Sequence, residues 1–179
     1  MAQETSNLAF IGGRGAGKSR LSRKFGKQCG RAVFSTDTLI SYEAGGLSIS
    51  SLVEKSGWKD FRDREFLILQ KLAPMRNVII DCGGGILVEA PEDESTPETF
   101  SRRKANLLKE SALVVYVQRD MDWLLRKAVK NADRPDLIGP YREILERRLP
   151  WYEQTADFVL DMNRLGTQEA LEILNKRFS

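Results

Sequence analysis

The chain predicts a three-layer α/β/α fold around a five-stranded parallel sheet, and three observations carry that prediction. Five short apolar runs alternate with segments of helical period along 179 residues, the pattern of strands joined by helices that cover both faces of a sheet. Three of those runs end in turns loaded with glycine or acid, and ligands of such sheets gather at the carboxyl ends of the strands. A content of 41% hydrophobic and 30% charged residues is that of one globular domain, residues 1–179, with a core of its own.

The elements follow in order. "NLAFIGG" at 7–13 reads as a buried strand ending in glycine, and "KSRLSRKFGKQCG" as a helix with Leu21 and Phe25 four apart and Gly30 as its stop. "AVFST" is a second short strand. Residues 38–72 are helical in pattern, broken at Gly45, Gly46 and Gly57. "NVIIDCGGG" is a third strand, β-branched and closed by three glycines. The acidic run at 89–98 holds five acids, two prolines and no basic residue, and reads as a solvated loop. A helix over "FSRRKANLLKES", the strand "ALVVYVQ" and the helix "MDWLLRKAVKNA" follow. After a loop at "DRPDLIGP" come a helix "YREILERRL" stopped by Pro150, a last strand "DFVLDM" and a closing helix "TQEALEILNKRF".

Composition excludes several classes of function. There is no histidine, which removes His-dependent triads and His-ligated metals, and two distant cysteines, Cys29 and Cys82, form neither a disulfide framework nor a structural zinc site. So few cysteines predict a reducing, cytoplasmic home. No apolar run approaches the ~18 residues of a membrane helix, and the first ten residues lack the features of a signal peptide. A net charge of +3 with scattered basic residues argues against nucleic acid as a partner.

The first chemical motif is Gly12-Gly13-Arg14-Gly15-Ala16-Gly17-Lys18-Ser19, a full match to G-x-x-x-x-G-K-[ST] between a strand and a helix. Glycines let the backbone turn its N–H groups onto phosphate oxygens, and the helix starting near Gly17 adds its positive end. Lys18 is placed to neutralise β- and γ-phosphates, and Ser19 to offer a hydroxyl to Mg²⁺. A nucleotide is the ligand this loop predicts; the loop alone does not distinguish a GTPase, a motor ATPase and a small-molecule kinase.

The acceptor side is legible in inward-pointing charges. In "GWKDFRDREFLILQKL" the apolar stripe runs through Trp58, Phe61, Ile68, Leu69 and Leu72, and Arg62 and Glu65 point with it while Asp63 and Arg64 do not. An inward arginine needs an anion: either an internal Arg62–Glu65 pair, or a substrate carboxylate with Glu65 holding the arginine in place. In "YREILERRLPWY", Arg148 lies on the apolar side, whereas Arg147 is placed for a solvated pair with Glu143. Two inward arginines predict an anionic small substrate. Asp37, closing "VFSTD", is a candidate to orient or deprotonate a hydroxyl, or alternatively to cap the next helix. Gly83, Gly84 and Gly85 present a bare backbone that a substrate can touch.

With these motifs in order from about residue 8 to 152, the chain resembles the shikimate kinase family of P-loop, nucleoside-monophosphate-kinase-like enzymes. The match rests on "GGRGAGKS", "STDTLI", "FRDRE", "IIDCGGG", "DRPDL" and "RRLPWY". The resemblance implies substrate-binding helices at about 38–73 and a mobile lid at about 127–140. It implies that Gly13 to Ser19 hold ATP, that Asp37, Arg62, the Gly83–Gly85 turn and Arg148 bind shikimate, and that Arg134 closes over the phosphates while Lys127 lies beside the adenine. Lys18, Asp37 and Arg134 would carry the catalysis, with Mg²⁺ as cofactor, in a monomer.

Two departures from the family pattern bear on this. The first acid of its D-x-D is Ser35 here, and "VIIDCGG" instead places Asp81 at the end of the third strand, like a Walker B carboxylate. Asp81 is therefore expected, with Ser19, to serve the metal. Asp136 follows Arg134-Pro135 where an apolar residue is usual. Two other readings stand beside the favoured one: a kinase of the same fold acting on a different small metabolite, and a catalytically weak relative that only binds.

Overall fold

The computed structural model describes residues 6–91, 96–128 and 140–178. Its centre is β1 (Asn7–Ile11), buried at every position. A strand with neighbours on both edges and helices on both faces has no side left for water, which is why it is apolar throughout instead of alternating. The chain continues through α1 (Lys18–Cys29), β2 (Val33–Ser35), α2 (Thr36–Glu43) and α3 (Ile49–Leu72), then β3 (Ile79–Asp81), β4 (Val88–Glu89) and β5 (Thr99–Phe100). It closes with α4 (Arg102–Ser111), β6 (Ala112–Gln118), α5 (Met121–Ala128), α6 (Tyr141–Thr155), β7 (Phe158–Asp161) and α7 (Thr167–Phe178).

The five expected strands form one parallel sheet in the order β2-β3-β1-β6-β7. Strand alternation divides the core into two layers. Leu8 and Phe10 pack with Leu21, Phe25 and Leu174 on one face, and Ala9 and Ile11 with Ile40, Ile68 and Leu108 on the other. Asn7 is the polar exception in β1. It donates to the carbonyls of Met75 (2.8 Å) and Ser111 (3.1 Å) and accepts from the Val78 N–H (3.2 Å). One amide thereby satisfies three backbone groups at the entries to β3 and β6, and its own buried polar atoms are paired in return. Among the described residues no helix is long and apolar enough to cross a membrane.

The helix punctuation follows the sequence in most places. Gly17 and Gly30 bracket α1 in the left-handed conformation, and Gly57 kinks α3 with φ 79°. Three expectations are corrected. Pro150 does not stop the helix: α6 runs through it to Thr155. The carbonyl that proline leaves unpaired is on an exposed turn, where both Glu146 and Pro150 face solvent and water can satisfy it. Asp37 is not the cap of the following helix, because Ser35 holds that position and accepts from the Thr38 N–H at 3.4 Å. The acidic run is not a plain solvated loop. Its ends are built in, as β4 and β5 pair antiparallel through Val88↔Phe100 and Glu89↔Thr99.

Glu89 shows what that ribbon gains. Its carboxylate accepts from Ser101 Oγ and from Arg103 Nε (2.7 Å) and Nη2 (2.8 Å), tying the ribbon to the first turn of α4. Burial pushes the Glu89 pKa up, but the hydrogen bonds from Arg103 and Ser101 pull harder, and the net shift is downward. A depressed carboxylate stabilises the fold above its unfolded value of 4.5 and loses that contribution as pH falls through the folded value. Glu89→Gln is expected to cost about 1 kcal/mol at neutral pH and to flatten the acid limb of the stability curve below pH 4.5. Urea unfolding of both proteins between neutrality and that limb measures it.

Candidate active site

The glycine-rich turn after β1 adopts the backbone its composition predicts. Gly12, Gly15 and Gly17 all have positive φ, at 141°, 82° and 105°. Lys18 opens α1 and folds back over the loop, its Nζ donating to the carbonyls of Gly12 (2.8 Å) and Gly13 (3.0 Å). The ammonium is thus held over the hollow by neutral acceptors, although its side chain is largely buried. Trp123 and Lys127 of α5 close the far side. The Trp123 indole N–H donates to the Gly15 carbonyl at 3.2 Å, and Lys127 Nζ lies 5.0 Å from the Trp123 ring.

Beside the loop is an open cleft of about 560 Å³, lined by Lys18, Ser19, Ser35, Asp37, Asp81 and Gly84 among others. Ser35 and Asp81 are register partners at the ends of β2 and β3. A carboxylate missing from one strand is therefore present on its immediate neighbour, along the same edge. Asp81 is 6% exposed, and its Oδ1 is buried without a hydrogen-bond partner. An unpaired buried carboxylate oxygen is costly unless a ligand completes it. Ser35 meanwhile spends its hydroxyl on the α2 cap. Cys82 lines the same cleft, but burial, and then the nearby Asp81 charge, push its thiol pKa well up, so it is no nucleophile.

A second cavity, of about 60 Å³, lies on the other side of Asp37 and Gly84, which line both. Arg14, Ile49, Trp58, Phe61, Arg62, Glu65, Gly85, Tyr141 and Arg148 complete its walls. Arg62 is 4% and Arg148 5% exposed, so both expected inward arginines are inward. Arg62 Nη1 donates to Glu65 Oε2 (3.0 Å) and to the Gly85 carbonyl (3.2 Å), and its Cζ lies 4.9 Å from the Trp58 ring centroid. The two readings of Arg62 are therefore compatible: the internal pair exists, and the guanidinium still faces the cavity. Arg147 makes no pair with Glu143; it is half-buried with its Nε unpartnered.

Two of the three glycines after β3, Gly83 and Gly85, have side chains packed on them, while Gly84 faces the backbone of Gly13 and Arg14. A Cβ at Gly83 would stand 2.4 Å from Asp37 Oδ1, and one at Gly85 2.2 Å from Arg62 Nη1. Their bareness lets the carboxylate and the guanidinium approach the turn, in addition to any ligand. Tyr152 from α6 donates its hydroxyl to the Gly84 carbonyl and braces the turn from behind.

Two partners were not read from the sequence. Lys104, fully buried on α4, donates to Glu65 Oε2 at 2.9 Å and to the Val88 carbonyl. Burial lowers its pKa and the Arg62 charge adds to that, against the pull of Glu65. The signal was weak, since Lys104 lies in a stretch rich in lysine and arginine. Arg148 Nε and Nη2 each donate to a Glu98 carboxylate oxygen at 2.6 Å. Burial is the largest influence and works against the Arg148 charge, but the Glu98 hydrogen bonds together with the Tyr152, Glu98 and Tyr141 charges outweigh it, and the net guanidinium pKa is raised. Arg134 and Asp136, and most of the expected lid, lie outside the described residues.

A family model described as shikimate kinase matches residues 14–177. The shikimate kinase of Leptospira biflexa is 46% identical over 168 residues, 93% of this chain and 92% of that protein. That of Leptospira borgpetersenii is 43% identical over 175 residues, 95% of this chain and 97% of the relative. Among solved structures, a shikimate kinase from Acinetobacter baumannii in complex with shikimate has a TM-score of 0.79 at 24% identity, covering 99% of this chain and 98% of its own. One from Aquifex aeolicus has a TM-score of 0.76 at 24% identity over 95% and 94%. At those identities the two structures speak for the fold.

The Arg62–Glu65–Lys104 chain yields a stability prediction. Lys104→Met removes one of two cations from a buried carboxylate, and breaking such an arrangement costs about 3 kcal/mol. The expected outcome is a folded protein with a denaturant midpoint lowered accordingly; an unchanged midpoint would contradict the buried pairing.

Proposed function

The chain belongs to the shikimate kinase family, and from that premise we propose that it transfers the γ-phosphate of ATP to the 3-hydroxyl of shikimate, releasing ADP and shikimate 3-phosphate. The observation that carries the reading is the shared wall of the two cavities. Asp37 and Gly84 border both the cleft beside the phosphate loop and the cavity lined by the two arginines. A phosphate tail in one and a hydroxylated acid in the other would meet at Asp37.

In this reading the backbone of Gly13, Arg14, Gly15, Ala16 and Gly17 cradles the phosphates, and Lys18 leaves its carbonyl partners to neutralise them. Arg62 and Arg148 bind the acid's carboxylate, Arg62 pre-aimed by Glu65. Asp37 accepts the proton of the attacking hydroxyl. The backbone of Gly83, Gly84 and Gly85 closes the acceptor cavity, Lys127 lies beside the adenine, and Arg134 covers the phosphates. Holding two reactants in line accounts for much of the catalysis such a transfer needs.

The residues present fit a magnesium ion. Ser19 and Asp81 line one cleft, Asp81 Oδ1 has no internal partner, and among the described residues no group of three or more acid, cysteine or histidine ligands forms a closed metal cage. Magnesium is commonly held by one or two protein groups together with phosphates and water. Ser19 and Asp81 would hold it here, where it would neutralise phosphate charge. Cys29 and Cys82 are both free thiols, in keeping with a monomer at work in a reducing cytoplasm.

A coupled ADP-release assay tests the reading. Release that saturates with shikimate supports it; release only with another acceptor, or binding without release, replaces it with one of the two alternatives. Asp81→Asn is expected to lower kcat by about 100-fold and to weaken Mg²⁺-dependent ATP binding, measured by calorimetry with and without the metal. Near-normal metal dependence would return Asp81 to a structural role. Arg62→Lys loses the planar fork that matches a carboxylate, and the loss of one charge-assisted hydrogen bond should raise KM for shikimate about tenfold.

A further inference from the structure

The two arginines of the acceptor cavity differ in how firmly their counterions are held. Glu65, the partner of Arg62, lies on the same helix one turn on, is 1% exposed, and is gripped a second time by Lys104. It cannot leave without stranding two buried cations. Glu98, the partner of Arg148, has its side chain 11% exposed. It immediately precedes the two-residue strand β5, and its preceding neighbours Thr96 and Pro97 are exposed. Among the described residues no second cation contacts its carboxylate. Yet it takes both Arg148 donors at 2.6 Å, the fork-on-carboxylate geometry that a bound organic acid would use.

We propose that Glu98 is a tethered internal competitor: its carboxylate occupies the Arg148 half of the acid-binding site, and a substrate carboxylate binds by displacing it. The inference rests on Arg148 being an acid-binding residue, as in the function proposed above. Displacement exchanges one carboxylate for another on the same guanidinium, so the cavity's charge is the same before and after. Glu98 then moves to water, which it reaches from a segment end. Glu65 stays in place and keeps Arg62 aimed. The acid therefore first meets a site with one ready arginine and one masked arginine, and its apparent affinity is lowered by the fraction of molecules in which Glu98 is seated.

Glu98→Gln and Glu98→Asp are the informative variants, since the first removes the charge and the second keeps it on a stem one methylene shorter. Shikimate affinity is measured by calorimetry on the full chain without nucleotide, and KM and kcat by ADP release, with melting curves to establish folding. The expected result is a dissociation constant and KM for shikimate lowered about tenfold in Glu98→Gln, and by less in Glu98→Asp. Unchanged affinity in both, or a raised KM with reduced kcat, overturns the proposal; the latter would make Glu98 a positioning residue for Arg148. Arg148→Ala separates the two layers of the argument. Weakened shikimate binding there, with unchanged Glu98 variants, removes the competitor and leaves the acid-binding role standing, whereas unaltered binding in Arg148→Ala removes that role itself.

Discussion

The acceptor half of the molecule depends on one buried carboxylate. Glu65 lies between Arg62 at 3.0 Å and Lys104 at 2.9 Å, and through them it joins three elements. Arg62 carries the link to the Gly85 carbonyl after β3, and Lys104 carries it to α4 and the Val88 carbonyl of β4. Burying two cations and an anion is costly in itself, and a similar volume of hydrocarbon would often be as stable. The arrangement makes sense as positioning. It fixes a guanidinium at the wall of a cavity, with its remaining donors turned inward and its charge only partly spent.

The donor half turns on a different constraint, the edge of the sheet. Because β2 and β3 are parallel and in register, Ser35 and Asp81 end side by side. A carboxylate serving ligands above that edge can stand on either strand with little change in position. Each choice has a local consequence. On β2 the residue also begins α2, and a serine there makes a good cap; on β3 the residue precedes the glycine turn, and an aspartate there keeps an oxygen unpaired. In this chain the cap stands on β2 and the carboxylate on β3.

The sheet was legible because strands buried on both faces announce themselves as unbroken apolar runs, and glycine marked the ends of α1 and the kink of α3. The inward arginines were legible for the same reason, since Arg62 and Arg148 fall on helix faces whose other residues are apolar. What escaped was pairing across long sequence distances. Lys104 meets Glu65 39 residues away and Glu98 meets Arg148 50 residues away, and nothing local distinguishes Lys104 from Arg102 and Arg103, or Glu98 from the acids before it. Pro150 misled because the carbonyl it leaves unpaired faces solvent, where water can satisfy it and the helix can run on.

Three cations that face the two cavities already have an internal stand-in for a ligand group. Lys18 rests on two backbone carbonyls of its own loop, Arg62 on Glu65, and Arg148 on Glu98. Bare cations crowded at one sheet edge would repel one another in a medium of low dielectric; the stand-ins keep the empty site stable. They also grade it. Neutral carbonyls hold an ammonium far less strongly than a phosphate does. A carboxylate on Arg148 is matched only by another acid with the same planar pair of oxygens. Glu65, held by two partners, does not exchange at all. Under the function proposed above, selectivity for a phosphate tail on one side and an organic acid on the other would follow from what each ligand must outcompete, before any contact with the rest of the ligand is counted.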